Sequence, residues 1–273
     1  MVRSVAVVVA LSLLVSAAVA QTQPGPRTQA PANAAVAKKP AAQGKAGAKP
    51  AGPVETGPCQ LGVVAAIDDK FAVQKIGITV FGNELAETPV DWGFNDIVVD
   101  RVRAGAPAGI AVRRIAYPRG AFDRYYNPPE TLFGNSGGDL VATVRQIIGN
   151  AHCERHIVIT GVRGTSADNN QPIRGIGIVQ GSSLVSATRI FANLMVQIYD
   201  GKTLEKQSNF SRLGSVLANS FKSDDRRSLG EIDNGAFPES AAAVAHNAML
   251  RDRTRAVLAA QLDRILPPYL KPE

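Results

Sequence analysis

Residues 190–200 read IFANLMVQIYD, which is the clearest strand pattern in the chain. Between Ala192 and Ile198 an apolar side chain stands at every second position. Because successive side chains of a strand point to opposite faces of its sheet, this alternation predicts a half-buried strand. Asp200-Gly201 follows it as a turn. The stretch therefore predicts that a β-sheet lies at the centre of the fold.

Five other runs rich in apolar and β-branched residues predict strands, and three stretches with helical spacing predict helices. The first two strands are separated only by residues 68–70, which begin with Asp68-Asp69, and this short polar turn predicts a hairpin. Asp91 is the expected N-cap of the first helix, and Pro267-Pro268 is expected to end the last one. The strands are predicted at residues 61–67, 71–81, 110–117, 156–162, 173–179 and 190–200, and the helices at 92–102, 137–148 and 239–266.

The resulting element order is β-β-α-β-α-β-β-β-α. Strands and helices alternate early in the chain, whereas strands cluster late. We therefore expect a mixed α/β (α+β) fold, with one mixed β-sheet and helices packed on it. Residues 58–273 are expected to form this single domain, which is long enough to bury a sizeable core.

Residues 1–20 have the pattern of a cleaved secretory signal peptide. Arg3 is followed by an apolar run over residues 5–19, which ends in Ala18-Val19-Ala20. A basic start, a short apolar run and small residues before the cut define such signals. We therefore expect a mature chain that begins at Gln21 and is periplasmic or secreted. No cysteine stands near the expected cut to carry a lipid, which predicts a soluble mature chain.

Residues 21–57 are rich in Ala, Pro, Gly, Gln and Lys and contain no aromatic residue, Leu or Ile. Such a segment cannot bury enough apolar surface to offset its ordering entropy, which predicts a disordered tether. Of the net charge of +7, Arg3 carries one and this segment four, which leaves +2 for residues 58–273. That small charge argues against a nucleic-acid partner. The basic tether is either a solvated linker or a contact to anionic lipid or wall polymer, and no other membrane contact is expected.

Cys59 and Cys153 are the only cysteines of the chain. In an oxidising compartment an even pair predicts a disulfide, and a reactive thiol is the alternative. Each cysteine stands shortly before a predicted strand. If the two strands are parallel neighbours, both sulfurs lie at the same end of the sheet, which favours the disulfide.

The stretch Gly134–Asp139, GNSGGD, resembles the nucleophile loop of chymotrypsin-like and envelope-stress serine proteases. The resemblance implies a nucleophilic Ser136 with a histidine base and oxyanion-binding amides. In those families the histidine precedes the serine, whereas every histidine of this chain follows it. The preferred interpretation is that Ser136 caps the next helix and that Asp139 completes the capping arrangement. No catalytic residue is therefore assigned.

Residues 152–156, HCERH, combine several types of metal ligand. Zinc requires ligands that converge at about 2 Å. On a strand, His152 and His156 would lie roughly 13 Å apart and could not share one ion. We therefore predict no metal site, and no motif in the chain indicates a cofactor.

The best candidate for a binding surface is the stretch from Arg113 to Phe133, much of which is a long predicted loop after Pro118. Tyrosine and arginine are favoured in binding hot spots because they combine a large contact area with hydrogen-bond donors. The alternative is that the aromatic residues fasten a long loop to the core. The predicted binding residues are Arg113, Arg114, Tyr117, Arg119, Phe122, Arg124, Tyr125 and Tyr126.

The strand and turn over Asn193–Thr203, NLMVQIYDGKT, together with the export signal, the tether and the mixed αβ domain, resemble the periplasmic domains of envelope-assembly lipoproteins. The families are the penicillin-binding-protein activators and the curli-secretion component. The resemblance implies binding or assembly rather than catalysis, although the chain lacks their lipid-bearing cysteine. We therefore expect a non-enzymatic envelope protein that binds a protein partner through the loop. Two alternatives stay open: an envelope hydrolase with an unrecognised site, and a module that binds a glycan or small ligand.

Overall fold

The computed structural model describes residues 55–77, 82–127, 136–165, 172–181, 187–207 and 230–271. The predicted signal peptide and residues 21–54 of the predicted tether lie outside this part of the chain. Residues 55–57, which close the predicted tether, are described and contact the folded domain. None of the helices within the described ranges is long and apolar enough to cross a membrane.

The mixed α+β class is confirmed, with two mixed sheets, a two-stranded ribbon and six α-helices in the described residues. The strands are β1 (Leu61–Ala66), β2 (Lys70–Lys75), β3 (Glu84–Pro89), β4 (Val112–Arg114), β5 (Arg155–Gly161), β6 (Arg163–Thr165), β7 (Pro172–Arg174), β8 (Ile176–Gln180), β9 (Thr188–Ala192), β10 (Leu194–Asp200) and β11 (Glu231–Ile232). The helices are α1 (Phe94–Gly105), α2 (Asp123–Tyr126), α3 (Ser136–Ile148), α4 (Ala241–Val244), α5 (Ala248–Ile265) and α6 (Pro267–Leu270).

The first sheet has the strand order β10-β5-β1-β4. β1 pairs in parallel with β4 and with β5, and β10 is antiparallel to β5. All six residues of β1 are buried because both faces of the sheet are covered. Leu61 and Val63 pack on the side of α1 and α5, whereas Val64 packs on the side of α3. β1 is therefore the centre of the molecule, and β4 is an outer strand.

The second sheet has the order β11-β9-β8-β2-β3. The predicted hairpin of the first two strands is wrong, because β2 pairs with β3 and β8 and the chain changes sheets at Asp68-Asp69. The predicted strand over residues 190–200 is also divided, since β9 belongs to the second sheet and β10 to the first. The backbone at Asn193 bonds to Val162 and Gly175 at this junction. Two sheets therefore stand where one was expected.

The helix ends also differ from the prediction. α1 begins after Gly93, whose φ is 65°, and has no side-chain cap, so the expected cap Asp91 is wrong. The predicted last helix is interrupted before Asn247, whose side chain accepts a hydrogen bond from the Leu250 N–H and caps α5. Pro267 opens the short helix α6, because the fixed φ of proline suits the first turn of a helix.

The predicted disulfide is confirmed. Cys59 and Cys153 are bonded, with their Cα atoms 4.7 Å apart and a sequence separation of 94. Cys59 precedes β1 and Cys153 precedes β5, and these strands are parallel neighbours in register from Leu61 and Arg155 onwards. The bond therefore ties together the amino ends of two central strands.

Candidate functional site

The eight predicted binding residues lie along the connection from β4 to α2. Arg113 and Arg114 belong to β4, and the last three belong to α2, at the opposite end of a turn around Gly120. Phe133 and the side chains of Ser136 and Asp139 lie outside the described residues. The eight residues divide into three groups by what their side chains contact.

The aromatic residues face inward. The buried Tyr126 hydroxyl donates to the carbonyl of Ala66 and accepts from the Gly161 N–H at 2.8 Å. The Tyr117 hydroxyl donates to the Ala65 carbonyl at 2.6 Å, and the Tyr125 hydroxyl donates to the Gly161 carbonyl at 3.0 Å. These bonds satisfy backbone groups where β1 and β5 end.

Phe122 completes this anchor. Its ring is buried and meets the Tyr117 ring edge-on, with 5.0 Å between ring centroids. Burial raises the pKa of Tyr117 and of Tyr126 well above the ordinary value, so both phenols remain protonated donors. These contacts match the alternative interpretation of the loop, in which its aromatic residues fasten it to the core.

The two arginines of β4 bond to their own chain. The Arg113 guanidinium donates to the Gly57 carbonyl at 2.8 Å and to the Ala151 carbonyl. The Arg114 guanidinium donates to the Asp96 carboxylate, 2.5 Å away. Both side chains therefore hold segments of the domain against β4.

Arg119 and Arg124 form the third group. Both side chains are exposed, and neither makes a hydrogen bond or ion pair to another residue in the described ranges. Arg119 lies on the loop and Arg124 in α2, both close in sequence to tyrosines whose hydroxyls bond to the central strands. Of the eight predicted residues, these two are the ones whose charged ends are presented to solvent.

A small cavity of about 170 Å³ lies outside the carboxyl ends of β1 and β4. Ligands of open α/β sheets bind at such ends, where the chain connections leave a crevice. Asp68, Asp69 and Arg119 contribute charged groups to its walls, and Tyr117 and Tyr126 contribute their rings. Burial, reinforced by neighbouring carboxylates, raises the pKa of Asp68 and of Asp69. The space is smaller than the cavities of about 300–1,000 Å³ typical of organic ligands.

A larger cleft of about 440 Å³ runs beside β4. One wall consists of Glu55, Thr56 and residues 113–118, and the other of Ile147, Asn150 and Ala151 from the end of α3 and the turn after it. The Ile115 N–H points inward and donates to Val63 at 2.8 Å. The hydrogen bonds of a strand alternate in direction. The Arg114 N–H therefore points outward, along the edge of β4 that no strand of the described residues pairs with and that we call the free edge.

Glu55 occupies this free edge. One of its carboxylate oxygens accepts from the Arg114 N–H at 2.8 Å, and both oxygens accept from the Arg103 guanidinium at 2.6 and 2.7 Å. Partial burial acts to raise the pKa of Glu55, but these hydrogen bonds outweigh it and hold the pKa below its ordinary value. Glu55 was predicted to lie in the disordered tether, so this role was not expected. The sequence feature that could have indicated this role is that Glu55 is the single acidic residue among the basic residues of the predicted tether.

The histidines are arranged differently from a metal site. His156 is fully buried on β5, and neither ring nitrogen has a hydrogen-bond partner in the described part of the chain. His152 is exposed on a turn with a φ of 49°. Burial, followed by the Arg113 guanidinium, lowers the pKa of His156 to about 4, and Asp200 opposes the shift. Within the described ranges no group of three or more His, Cys, Asp or Glu side chains could hold a metal ion.

The fold and the site define a mixed α+β protein with a free strand edge beside a cleft. Comparison with protein-family models, curated proteins and solved structures gives no match to this chain.

Proposed function

We propose that this chain is an exported, non-enzymatic envelope protein that binds an extended segment of a partner protein along β4. The observation that carries the proposal is the free edge of β4 beside the 440 Å³ cleft. An extended peptide can add to such an edge through backbone hydrogen bonds while its side chains enter the adjoining cleft. This mode of binding requires shape and free backbone groups rather than a catalytic constellation.

The anchored loop supports this role. Tyr117 and Tyr126 hold one end of the cleft wall by hydroxyl bonds to the central strands. A surface that is rigid before binding loses less conformational entropy when the partner arrives. Arg119, which follows the cleft residue Pro118, then provides an exposed charge at the rim of the cleft, of the kind favoured in protein interfaces.

The disulfide supports export. Disulfides persist in oxidising compartments such as the periplasm and the cell exterior. The Cys59–Cys153 bond joins the amino ends of β1 and β5 and follows immediately in sequence after the segment that carries Glu55. A periplasmic or secreted location agrees with this bond and with the predicted signal peptide.

The test is photocrosslinking in the native host. A photoreactive residue replaces Thr56, which is exposed on the cleft wall, or Arg119 on the rim. Leu85 is the matched control, because it is exposed on β3, an outer strand of the second sheet. Tyr126 is unsuitable for a probe, since its side chain is buried.

We expect both cleft probes to capture the same protein and the Leu85 probe not to capture it. Capture of that protein from all three positions would contradict the assigned surface. Crosslinks to polysaccharide or a small molecule alone would replace the protein partner with the ligand-binding alternative.

A further inference from the structure

We infer that the cleft along β4 contains a carboxylate-binding subsite, which Glu55 occupies and which an acidic side chain of the partner segment takes over. The inference rests on the proposed function, since it assigns the chemistry of the segment that β4 receives. It also assigns Glu55 the role of an internal competitor for that segment.

The subsite is made of two donors from different elements. Arg103 lies in the last turn of α1 and contributes its guanidinium, and Arg114 contributes its backbone N–H from β4. Together they make three hydrogen bonds of 2.6–2.8 Å to the two oxygens of one carboxylate. Charge-assisted bonds of this kind recognise the carboxylate group and place little demand on the chain that carries it.

Glu55 stands where a neighbouring strand would place an acceptor. The outward Arg114 N–H is a ladder donor of an outer strand, and its ordinary partner is the carbonyl of an adjacent strand. Here the carboxylate serves as that acceptor. A segment that binds here must therefore displace the side chain of Glu55 and present its own carboxylate to Arg103 and the Arg114 N–H, so its backbone pairs with β4 outside this one position.

The displacement requires little rearrangement of the domain. The Glu55 side chain is 30% exposed, and Thr56, Gly57 and Pro58 after it are exposed. The disulfide at Cys59 fixes the chain immediately after these three residues. Rotation of one side chain then frees the edge while β1 and the core remain in place.

The charges left behind favour an acidic segment. Without Glu55, Arg103 keeps only a longer ion pair of 3.9 Å to Asp100 among the described residues. Arg113, which also lines the cleft, donates to carbonyl groups and pairs with no described carboxylate. A neutral or basic segment bound over the exposed guanidinium of Arg103 would remove water from it without supplying an acceptor, which is costly.

The test uses the purified full chain with its disulfide intact and two synthetic peptides. One peptide has the sequence of residues 51–58, AGPVETGP, and the other has glutamine in place of the glutamate. The proteins are wild type, Glu55→Ala and the control Glu84→Ala, which removes an exposed acid from β3. Binding is followed by the NMR shift of the Arg114 amide.

We expect Glu55→Ala to bind the glutamate peptide about tenfold or more tightly than do wild type and Glu84→Ala, because the cis competitor is gone. The glutamine peptide should bind Glu55→Ala about tenfold more weakly than the glutamate peptide. Equal affinity of Glu55→Ala for both peptides, or equal affinity of wild type and Glu55→Ala, would overturn the subsite.

Arg103→Gln in the Glu55→Ala background provides a second readout. We expect it to fold, because Arg103 is exposed at the end of α1, and to lose the preference for the glutamate peptide. A preserved preference would refute the role of Arg103. If the probes at Thr56 and Arg119 capture a host protein but the peptides show no glutamate preference, the proposed function stands and the subsite is refuted. Failure of the subsite can therefore be distinguished from failure of the proposed function.

Discussion

β3 and β4 are both outer strands, but they protect their free edges in different ways. Five of the six residues of β3 are exposed, and the strand carries Glu84, Glu87 and the terminal Pro89, which has no N–H. Charged side chains and proline are common means of preventing a further strand from adding. β4 is half-buried and has its outward N–H covered by Glu55, a residue from another segment.

The difference shows how one edge can stay closed while the other can open. The protection of β3 belongs to the strand itself and moves with it. The protection of β4 comes from a single side chain, which can leave without unfolding the strand. β4 borders the cleft of about 440 Å³ through Arg113 and Arg114, whereas a cavity of about 410 Å³ meets β3 only at its last residue, Pro89.

Removal of the disulfide should affect the β4 side of the molecule most. We expect Cys59→Ser with Cys153→Ser to lower the free energy of unfolding by about 4–5 kcal/mol, because a loop of 94 residues is no longer closed in the unfolded chain. Urea unfolding measures the change. The rate of amide hydrogen exchange should rise more at β4 than at β3. An equal rise at both strands would contradict the expectation that the disulfide supports mainly the β4 edge.

Protonation of His156, on β5, should destabilise the sheet that contains β4. Its pKa is about 4 in the folded chain, against an ordinary value of 6.5, so the unfolded chain binds the proton more readily. The stabilisation is complete above pH 6.5, and about 3 kcal/mol of it is lost as the pH falls from 6.5 to 4.

Urea unfolding of wild type and His156→Leu at pH 7 and pH 4.5 tests this dependence. The loss of stability on acidification should be smaller in His156→Leu, whereas the exposed-site control His246→Gln should behave as wild type. Parallel losses in all three proteins would show that His156 does not contribute.

Tyr126→Phe tests whether the loop is an anchor for the cleft wall. The substitution removes both a donor to Ala66 and an acceptor for Gly161, and we expect it to cost about 1–3 kcal/mol of unfolding free energy. Tyr125→Phe removes one bond from a half-buried ring, so its cost should be smaller. The glutamate preference of the β4 cleft should survive both substitutions. Its loss in Tyr126→Phe would place the anchor inside the binding site.

Glu55→Gln should have the smallest effect on stability. A partly exposed ion pair contributes less than about 1 kcal/mol. Its lowered pKa means that this contribution is present above the ordinary glutamate pKa and is lost as the pH falls through the lower, folded-state pKa. Hydrogen exchange of the Arg114 amide should accelerate in this variant.

Glu87→Gln is the matched control on β3, because Glu87 also pairs with a basic side chain, Lys70. We expect it to leave the exchange of the neighbouring backbone amides unchanged. Acceleration of the β3 amides in Glu87→Gln would show that both edges depend on a single carboxylate.

Several elements were predictable because their signals are local. The buried run of β1, the apolar stripe of α3 and the strand β5 all appear near their predicted positions. The disulfide was predictable because two cysteines precede two strands that are parallel neighbours. The hairpin of β1 and β2 was not, because alternation indicates which side chains are buried and says little about which strand lies alongside.

The candidate site was predictable only in part. Composition directed attention to residues 113–126, and the β4 cleft does include Arg113, Arg114 and Tyr117. The tyrosine hydroxyls point inward because they bond to backbone groups at the ends of β1 and β5. These strand ends are distant in sequence from the loop, so their position could not be predicted locally. Glu55 could not be recognised as part of the site from composition, because its partners Arg103 and Arg114 lie 48 and 59 residues away.

The sequence by itself determined the mixed class, the positions of the central elements and the pairing of the two cysteines. These properties follow from local periodicity and from having only one possible partner for each sulfur. The tertiary structure alone decided that residues 190–200 divide between two sheets, that the loop tyrosines are anchors, and that a carboxylate covers the edge of β4. The physical reason is that hydrogen bonds between distant segments form only after the order of the strands has placed their donors and acceptors together.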